Sequence, residues 1–116
     1  MDVVQWFGAM QAQDVASGHW SLGVRCAGAA ETDVLAAFER RELVRTWPMR
    51  GTIHIVAAED VRWLLALAGV RALTGSNRRR EQLGLTLADA DRAVAALDSA
   101  LTGGRVLSRT QAVAAN

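Results

Sequence analysis

The sequence predicts an α+β fold, predominantly helical, with one small β-hairpin. Three observations carry this. Apolar residues recur at helical spacing behind recognisable caps in several segments, twice as complete capping boxes, Thr86 with Asp89 and Ser108 with Gln111. One block, residues 43–56, instead concentrates β-branched and aromatic residues around Met49-Arg50-Gly51. The chain of 116 residues is 51% apolar with a net charge of +1. It is therefore too apolar and too nearly neutral for a solvated coil, and too short for two complete domains of usual size.

The elements follow in order. Asp2 can cap a first helix in which Val3, Trp6, Phe7 and Met10 build one apolar face. After Gln11-Ala12-Gln13-Asp14 comes a small-residue stretch, residues 15–18, where the periodicity lapses. Trp20, Leu22, Val24 and Cys26 suit either a second helix or an extended piece, ended by Gly28. Thr32 is the expected N-cap of a helix to about Glu42 that buries Val34, Leu35 and Phe38. In the hairpin, Pro48 lacks a backbone donor, so its strand belongs at an edge or contains a bulge. In the strand after it, Ile53 and Ile55 face one way while Thr52, His54 and Val56 face the other.

Residues 58–73 form the clearest helix. Val61, Leu64, Leu65, Ala68 and Ala72 make a stripe that Trp63, Leu67 and Val70 widen, so the helix is expected to be buried nearly all round. Thr74-Gly75 ends it. Ser76 is the expected cap of a short basic helix carrying Arg78, Arg79 and Arg80, stopped by Gly84. The Thr86/Asp89 box opens a helix with Leu87, Ala90, Val94, Leu97 and Leu101 in one stripe, which is expected to be exposed for want of a partner. Gly103-Gly104 breaks it, and Ser108/Gln111 opens another. Helix, short turn, helix is how a helix-turn-helix or winged-helix unit begins. Met1 opens almost directly into a helix and Asn116 stops inside one, the pattern of a fragment of a longer protein.

Several function classes are excluded or weakened. The longest apolar runs are far shorter than the roughly 20 residues that cross a bilayer, and Asp2 stands where a signal peptide would be basic. A single Cys26 permits no intramolecular disulfide, which suits a reducing cytoplasm. Two distant His residues and one Cys offer no metal-ligand spacing, and Gly103-Gly104 has neither the strand nor the Lys of a phosphate loop, so neither metal nor cofactor is expected. His19 is expected at a helix edge without a role. All 13 basic residues are Arg. Such bias is typical of GC-rich coding, yet Arg is also the better phosphate ligand because its planar fork can bond two oxygens.

Two clusters remain. Gln11 and Gln13 would diverge by about 200° on a helix but project to one side of an extended segment. Paired carboxamides there either satisfy loop backbone groups, the commoner use of such spacing, or hold a water, since an amide donates and accepts but has no useful pKa. In Arg50-Gly51-Thr52-Ile53-His54, Gly51 can supply the positive φ of a hairpin turn with Arg50 solvated, or Arg50 and Thr52 can bond phosphate with His54 beside them. Arg78, Arg79 and Arg80 make either a solvated face or a clamp on a nucleic-acid backbone.

Taken together, Gly8-Ala9-Met10-Gln11-Ala12-Gln13-Asp14, the block Leu43-Val44-Arg45-Thr46-Trp47-Pro48-Met49-Arg50-Gly51-Thr52-Ile53-His54-Ile55-Val56, and Ala58-Glu59-Asp60-Val61-Arg62-Trp63-Leu64-Leu65 resemble the AlkZ-like DNA glycosylases. This is a bacterial group of winged-helix DNA-binding domain proteins, and the similarity runs over about residues 4–115. The Arg-Thr-Trp-x-Met-Arg-Gly-Thr-x-His block is its specific part.

The resemblance implies tandem winged-helix modules around a positive DNA channel, incomplete in this chain. Residues 1–85 would form the module with Gln-x-Gln and the hairpin, and residues 86–116 the start of a second. It also places Gln11 and Gln13 at the family's Gln-Φ-Gln catalytic motif, with a small Φ, Ala12; some relatives carry Gln-Φ-Asp instead. The implied activity is hydrolysis of the N-glycosidic bond of alkylated, cationic purines in double-stranded DNA, with crosslink unhooking as in some relatives. Arg50, Thr52 and His54 would line the groove, and Arg78, Arg79 and Arg80 would contact phosphate. The alternatives are a non-catalytic winged-helix DNA-binding protein or transcriptional regulator, and a purely structural helical fragment.

Overall fold

A computed structural model describes residues 2–114, the side chains of Asp2 and Ala72 excepted. The cap expected of Asp2, the place of Ala72 in a stripe, and the two chain ends at Met1 and Asn116 therefore fall outside the described residues. The chain divides into two compact units, residues 1–75 and 76–116.

In the first unit the order is α1 (Asp2–Phe7), β1 (Met10–Gln11), α2 (Val15–Gly23), α3 (Glu31–Glu39), β2 (Leu43–Met49) and β3 (Thr52–Ala57). A 3₁₀ turn (Ala58–Asp60), α4 (Val61–Leu64), a π-helical turn (Leu65–Gly69) and α5 (Val70–Gly75) follow. The three strands form one antiparallel sheet in the order β1-β3-β2. Ile55 and Ala57 of β3 join Met10, Ala12 and Leu43 in a core completed by Val4, Leu22, Val34 and Ala37 of α1, α2 and α3. The other parity of β3 carries His54 and Val56, both buried, as the alternation requires.

The hairpin forms as expected. Arg50 (φ 55°) and Gly51 (φ 69°) make a two-residue turn with positive φ at both positions, which matches the twist of the flanking strands. Pro48 satisfies both expectations, since β2 is an edge strand and its register slips between Thr46 and Met49.

Five local expectations are corrected. The buried residue of α1 is Val4; Trp6 and Phe7 are exposed and Met10 lies in β1, because Gly8 at φ 75° ends the helix early. The small-residue stretch is not a lapse but the first turn of α2, whose N-cap Asp14 accepts the Ser17 N–H at 2.8 Å. Helix α3 starts at Glu31 rather than behind Thr32, with the Asp33 carboxylate accepting the Ala30 N–H, and it buries Val34 and Ala37 while Leu35 stays exposed. The helical run after β3 is continuous as expected, through a π turn, but among its described residues only Leu64 is buried; Leu67 is 74% exposed. That run packs on β2. Finally, Ser76 stands at the N-cap position of the basic helix as expected, but with helical φ/ψ and without a side-chain cap hydrogen bond.

The second unit comprises α6 (Asn77–Gln82), α7 (Leu87–Leu101) and α8 (Arg109–Ala114). Both capping boxes are present: Thr86 Oγ1 accepts from the Asp89 N–H while Asp89 accepts from the Thr86 N–H, and Ser108 and Gln111 do the same. Leu87, Val94 and Leu101 of the stripe are exposed as expected, while Ala90 and Leu97 are half-buried.

Candidate active site

The candidate site is built where the sheet ends. Gly8 terminates α1 and turns the chain into β1, where Met10 pairs with Ile55 and Gln11 with His54. Strand alternation then sets the faces: Met10 and Ala12 are buried, the latter 2% exposed, and Gln11 and Gln13 are both exposed. The two carboxamides thus flank a buried alanine, Gln11 in β1 and Gln13 just beyond it.

The next rung of the ladder is half backbone. Ala12 N–H donates to the Ile53 carbonyl at 2.8 Å. An antiparallel pair of this kind ordinarily exchanges a second bond in return. Here the Ile53 N–H donates instead to Oε1 of Gln13 at 3.0 Å. The Ala12 carbonyl accepts from Nη2 of Arg45 at 2.9 Å. Two side chains take over one backbone bond, so the chain leaves the sheet at Ala12 without orphaning either polar group. The carboxamide oxygen of Gln13 must be the end facing Ile53, since an N–H needs an acceptor, and its NH₂ therefore points away from that bond. The Gln11 carboxamide has no hydrogen-bond partner among the described residues.

Close packing holds the segment from beneath. Gly18 of α2 lies so near that a Cβ there would stand 2.7 Å from Ala12 Cβ and 3.3 Å from Ile55 Cδ1. The small Ala12 is matched by a residue with no side chain at all.

Asp14 completes the exit into α2. Its carboxyl is held below the usual carboxylate range, first by the Ser17 hydroxyl, then by the Ser17 N–H, with the Arg45 cation adding to the effect. A lowered folded-state pKa means that Asp14 contributes its stabilisation above its ordinary value of 3.8 and loses it as the pH falls through that value and then through the folded one. Urea unfolding of wild type should therefore weaken below about pH 4, and Asp14→Asn, which retains an N-cap acceptor, should show a flatter acid limb. Equal acid limbs for the two proteins would remove Asp14 from that role.

Of the other expected residues, Arg50 is exposed at the hairpin tip and Thr52 half-buried. His54 is 8% exposed, directly across from Gln11 on one side and Thr46 on the other. Its Nδ1 lies 3.0 Å from the Thr52 carbonyl, which can only accept, so Nδ1 carries a proton. Arg78, Arg79 and Arg80 lie on α6 in the second unit, with Arg80 donating to Asn77. His19 is not at a helix edge but buried inside α2, against Phe38 and 3.4 Å from a Glu31 carboxylate oxygen. A cavity of about 750 Å³ beside His19 and Trp20 does not include either glutamine. Among the described residues no group of three or more His, Cys, Asp or Glu is placed to hold a metal, and no helix is long and apolar enough to cross a membrane.

Sequence reasoning assigned no task to Arg45 or Gly18. The available signal was parity: Arg45 is two residues from buried Leu43 on a strand and so belongs to the core side, an unusual place for a cation without a partner.

Neither a curated protein nor a solved structure matches the chain. The sequence pattern described as DNA glycosylase AlkZ-like matches residues 4–115. With that match running from α1 to the end of α8, the chain belongs to the AlkZ-like DNA glycosylase family.

Proposed function

We propose that this chain carries the catalytic segment of a hydrolytic glycosylase for alkylated, cationic purines in double-stranded DNA, with Gln11 and Gln13 directing the attacking water. The observation that supports it most is the pair of exposed carboxamides on either side of buried Ala12, one pinned through its oxygen and the other unbonded among the described residues. Alkylation at N7 or N3 makes the base a good leaving group. Water adds at C1′, the C1′–N9 bond breaks, its electron pair neutralises the base, and the water proton passes to solvent. Such a step needs a positioned nucleophile more than an acid, and amides without a useful pKa are suited to it. An N7-linked interstrand crosslink presents the same cationic purine and requires no different chemistry. The test is release of N7-methylguanine from duplex DNA by the full-length protein; binding without release would favour a regulator, and neither would leave a scaffold.

The order α1-β1-α2-α3-β2-β3, with the first strand closing on the last, supports a winged-helix reading in which β2–β3 is the wing. Helix α3 would then occupy the recognition position, yet it exposes Glu31, Asp33 and Glu39, which repel phosphate. This weighs against a regulator reading bases through that helix. Arg50 at the wing tip is better placed for backbone contact, with Thr52 and His54 behind it and Arg78, Arg79 and Arg80 as further phosphate ligands. Holding a non-glycine residue at positive φ is unfavourable by about 1–2 kcal/mol, less for Asn. Arg50→Asn should therefore raise stability by about 0.5–1 kcal/mol. It should also weaken duplex binding and lower the slope of log K against log salt by about 1. An unchanged slope would remove Arg50 from the interface.

A further inference from the structure

We propose that Arg45 is a positioning residue for the water-directing glutamines, acting by holding the Ala12 carbonyl away from Ile53 so that Gln13 can occupy its place in the ladder. This rests on the proposed function for its consequence in catalysis, and on the hydrogen-bond geometry alone for the clamp itself. Arg45 starts on β2, the far edge of the sheet, in register with Ile55, which in turn pairs with Met10. Its side chain crosses the central strand on the core side and reaches the Ala12 carbonyl at 2.9 Å. The guanidinium Nε is buried without a partner among the described residues, so the reach to Ala12 is what the position offers in return for burying the group.

The two substituted bonds depend on each other. Ile53 has one N–H, and it can serve either the Ala12 carbonyl, closing an ordinary rung, or the Gln13 carboxamide. The Ala12 carbonyl could accept two bonds, but the Ile53 N–H can give only one, and with the carbonyl drawn toward Arg45 that one goes to Gln13. Without Arg45 the carbonyl of Ala12, a residue whose N–H already bonds Ile53, is free to turn back and close the rung, releasing Gln13 into solvent. Arg45 thereby chooses between a closed sheet end with a mobile glutamine and an open one with a fixed glutamine.

The test compares wild type, Arg45→Met, which keeps the stem without donors, and Arg45→Lys, which keeps one charged donor, all in the full-length protein. The side-chain carboxamide of Gln13 should be as ordered as backbone in wild type, with an NMR order parameter near 0.85, and fall below about 0.6 in R45M. Gln111, whose oxygen is held by Ser108 in the other unit, should not change and serves as the control. Release of N7-methylguanine by R45M should fall by about a hundredfold in kcat with KM unchanged, and R45K should recover part of it. An ordered Gln13 in R45M, or a loss confined to KM, overturns the proposal. Should R45M fail to fold, Arg45→Gln, a polar side chain too short to span the central strand, takes its place with the same two outcomes: an ordered Gln13 overturns the clamp, and a disordered Gln13 with a lowered kcat supports it. If wild type releases no alkylated base, the proposed function fails, and the Gln13 order parameter alone still decides for or against the clamp.

Discussion

Gln11→Ala is expected to slow release of N7-methylguanine by a hundredfold or more while leaving duplex affinity and folding stability unchanged, within about 0.5 kcal/mol for the latter. The side chain is exposed and makes no hydrogen bond among the described residues, so its removal leaves no buried group unsatisfied. Gln13→Ala should slow release comparably, but for a second reason as well. It strips the Ile53 N–H of its acceptor, which is expected to lower stability by about 1 kcal/mol unless Ala12 closes the rung. The pair of variants is therefore diagnostic: equal losses of rate with unequal losses of stability fit one reaching and one anchored carboxamide. The measurements are single-turnover base release, duplex binding, and urea unfolding on the same preparations. Rates within a few-fold of wild type for both variants would leave the glutamines as ordinary loop residues.

Gly18→Ala should destabilise the protein by about 1–3 kcal/mol, although replacing glycine by alanine inside a helix ordinarily stabilises by about 0.5–1 kcal/mol. The sign reverses because the added methyl would stand 2.7 Å from Ala12 Cβ, a separation that forces α2 or β1 to move. For a unit of this size each kcal/mol corresponds to about 4–8 °C in Tm. Gly18→Val should be worse, and Ala12→Leu, which meets the same wall from the other side, should behave alike. Since a displaced β1 also moves Gln11 and Gln13, base release should fall together with stability in these variants, unlike in Gln11→Ala. A Gly18→Ala protein as stable as wild type would show that the helix and strand can separate at little cost.

The family was legible in the residue blocks before any fold was known, and the alternation that exposes Gln11 and Gln13 around a buried Ala12 fits their spacing. Arg45 was not legible as a ligand of Ala12, nor Gln13 as a ligand of Ile53, although parity marked Arg45 as unusual. Each pair lies 33 and 40 residues apart, respectively, and a segment of two strand residues offers no periodicity from which to choose a partner. The expected burial of the helical run after β3 failed on a related ground. Its apolar residues state that a partner is wanted, and whether one is present depends on what packs there.

What the sequence by itself determined are the features fixed within a few residues: both capping boxes in the second unit, the breaks at Gly84 and Gly103-Gly104, the hairpin turn at Arg50-Gly51, and the alternation that sets Ile55 opposite in face to His54. Caps, positive φ and strand parity are consequences of local stereochemistry, so they are written locally. Only the tertiary structure decided that β1 closes on β3, that Gly18 seats Ala12, and that Arg45 and Gln13 share out one broken rung. Those choices turn on which distant donor reaches which acceptor once the core has formed, and many pairings satisfy the same short-range pattern.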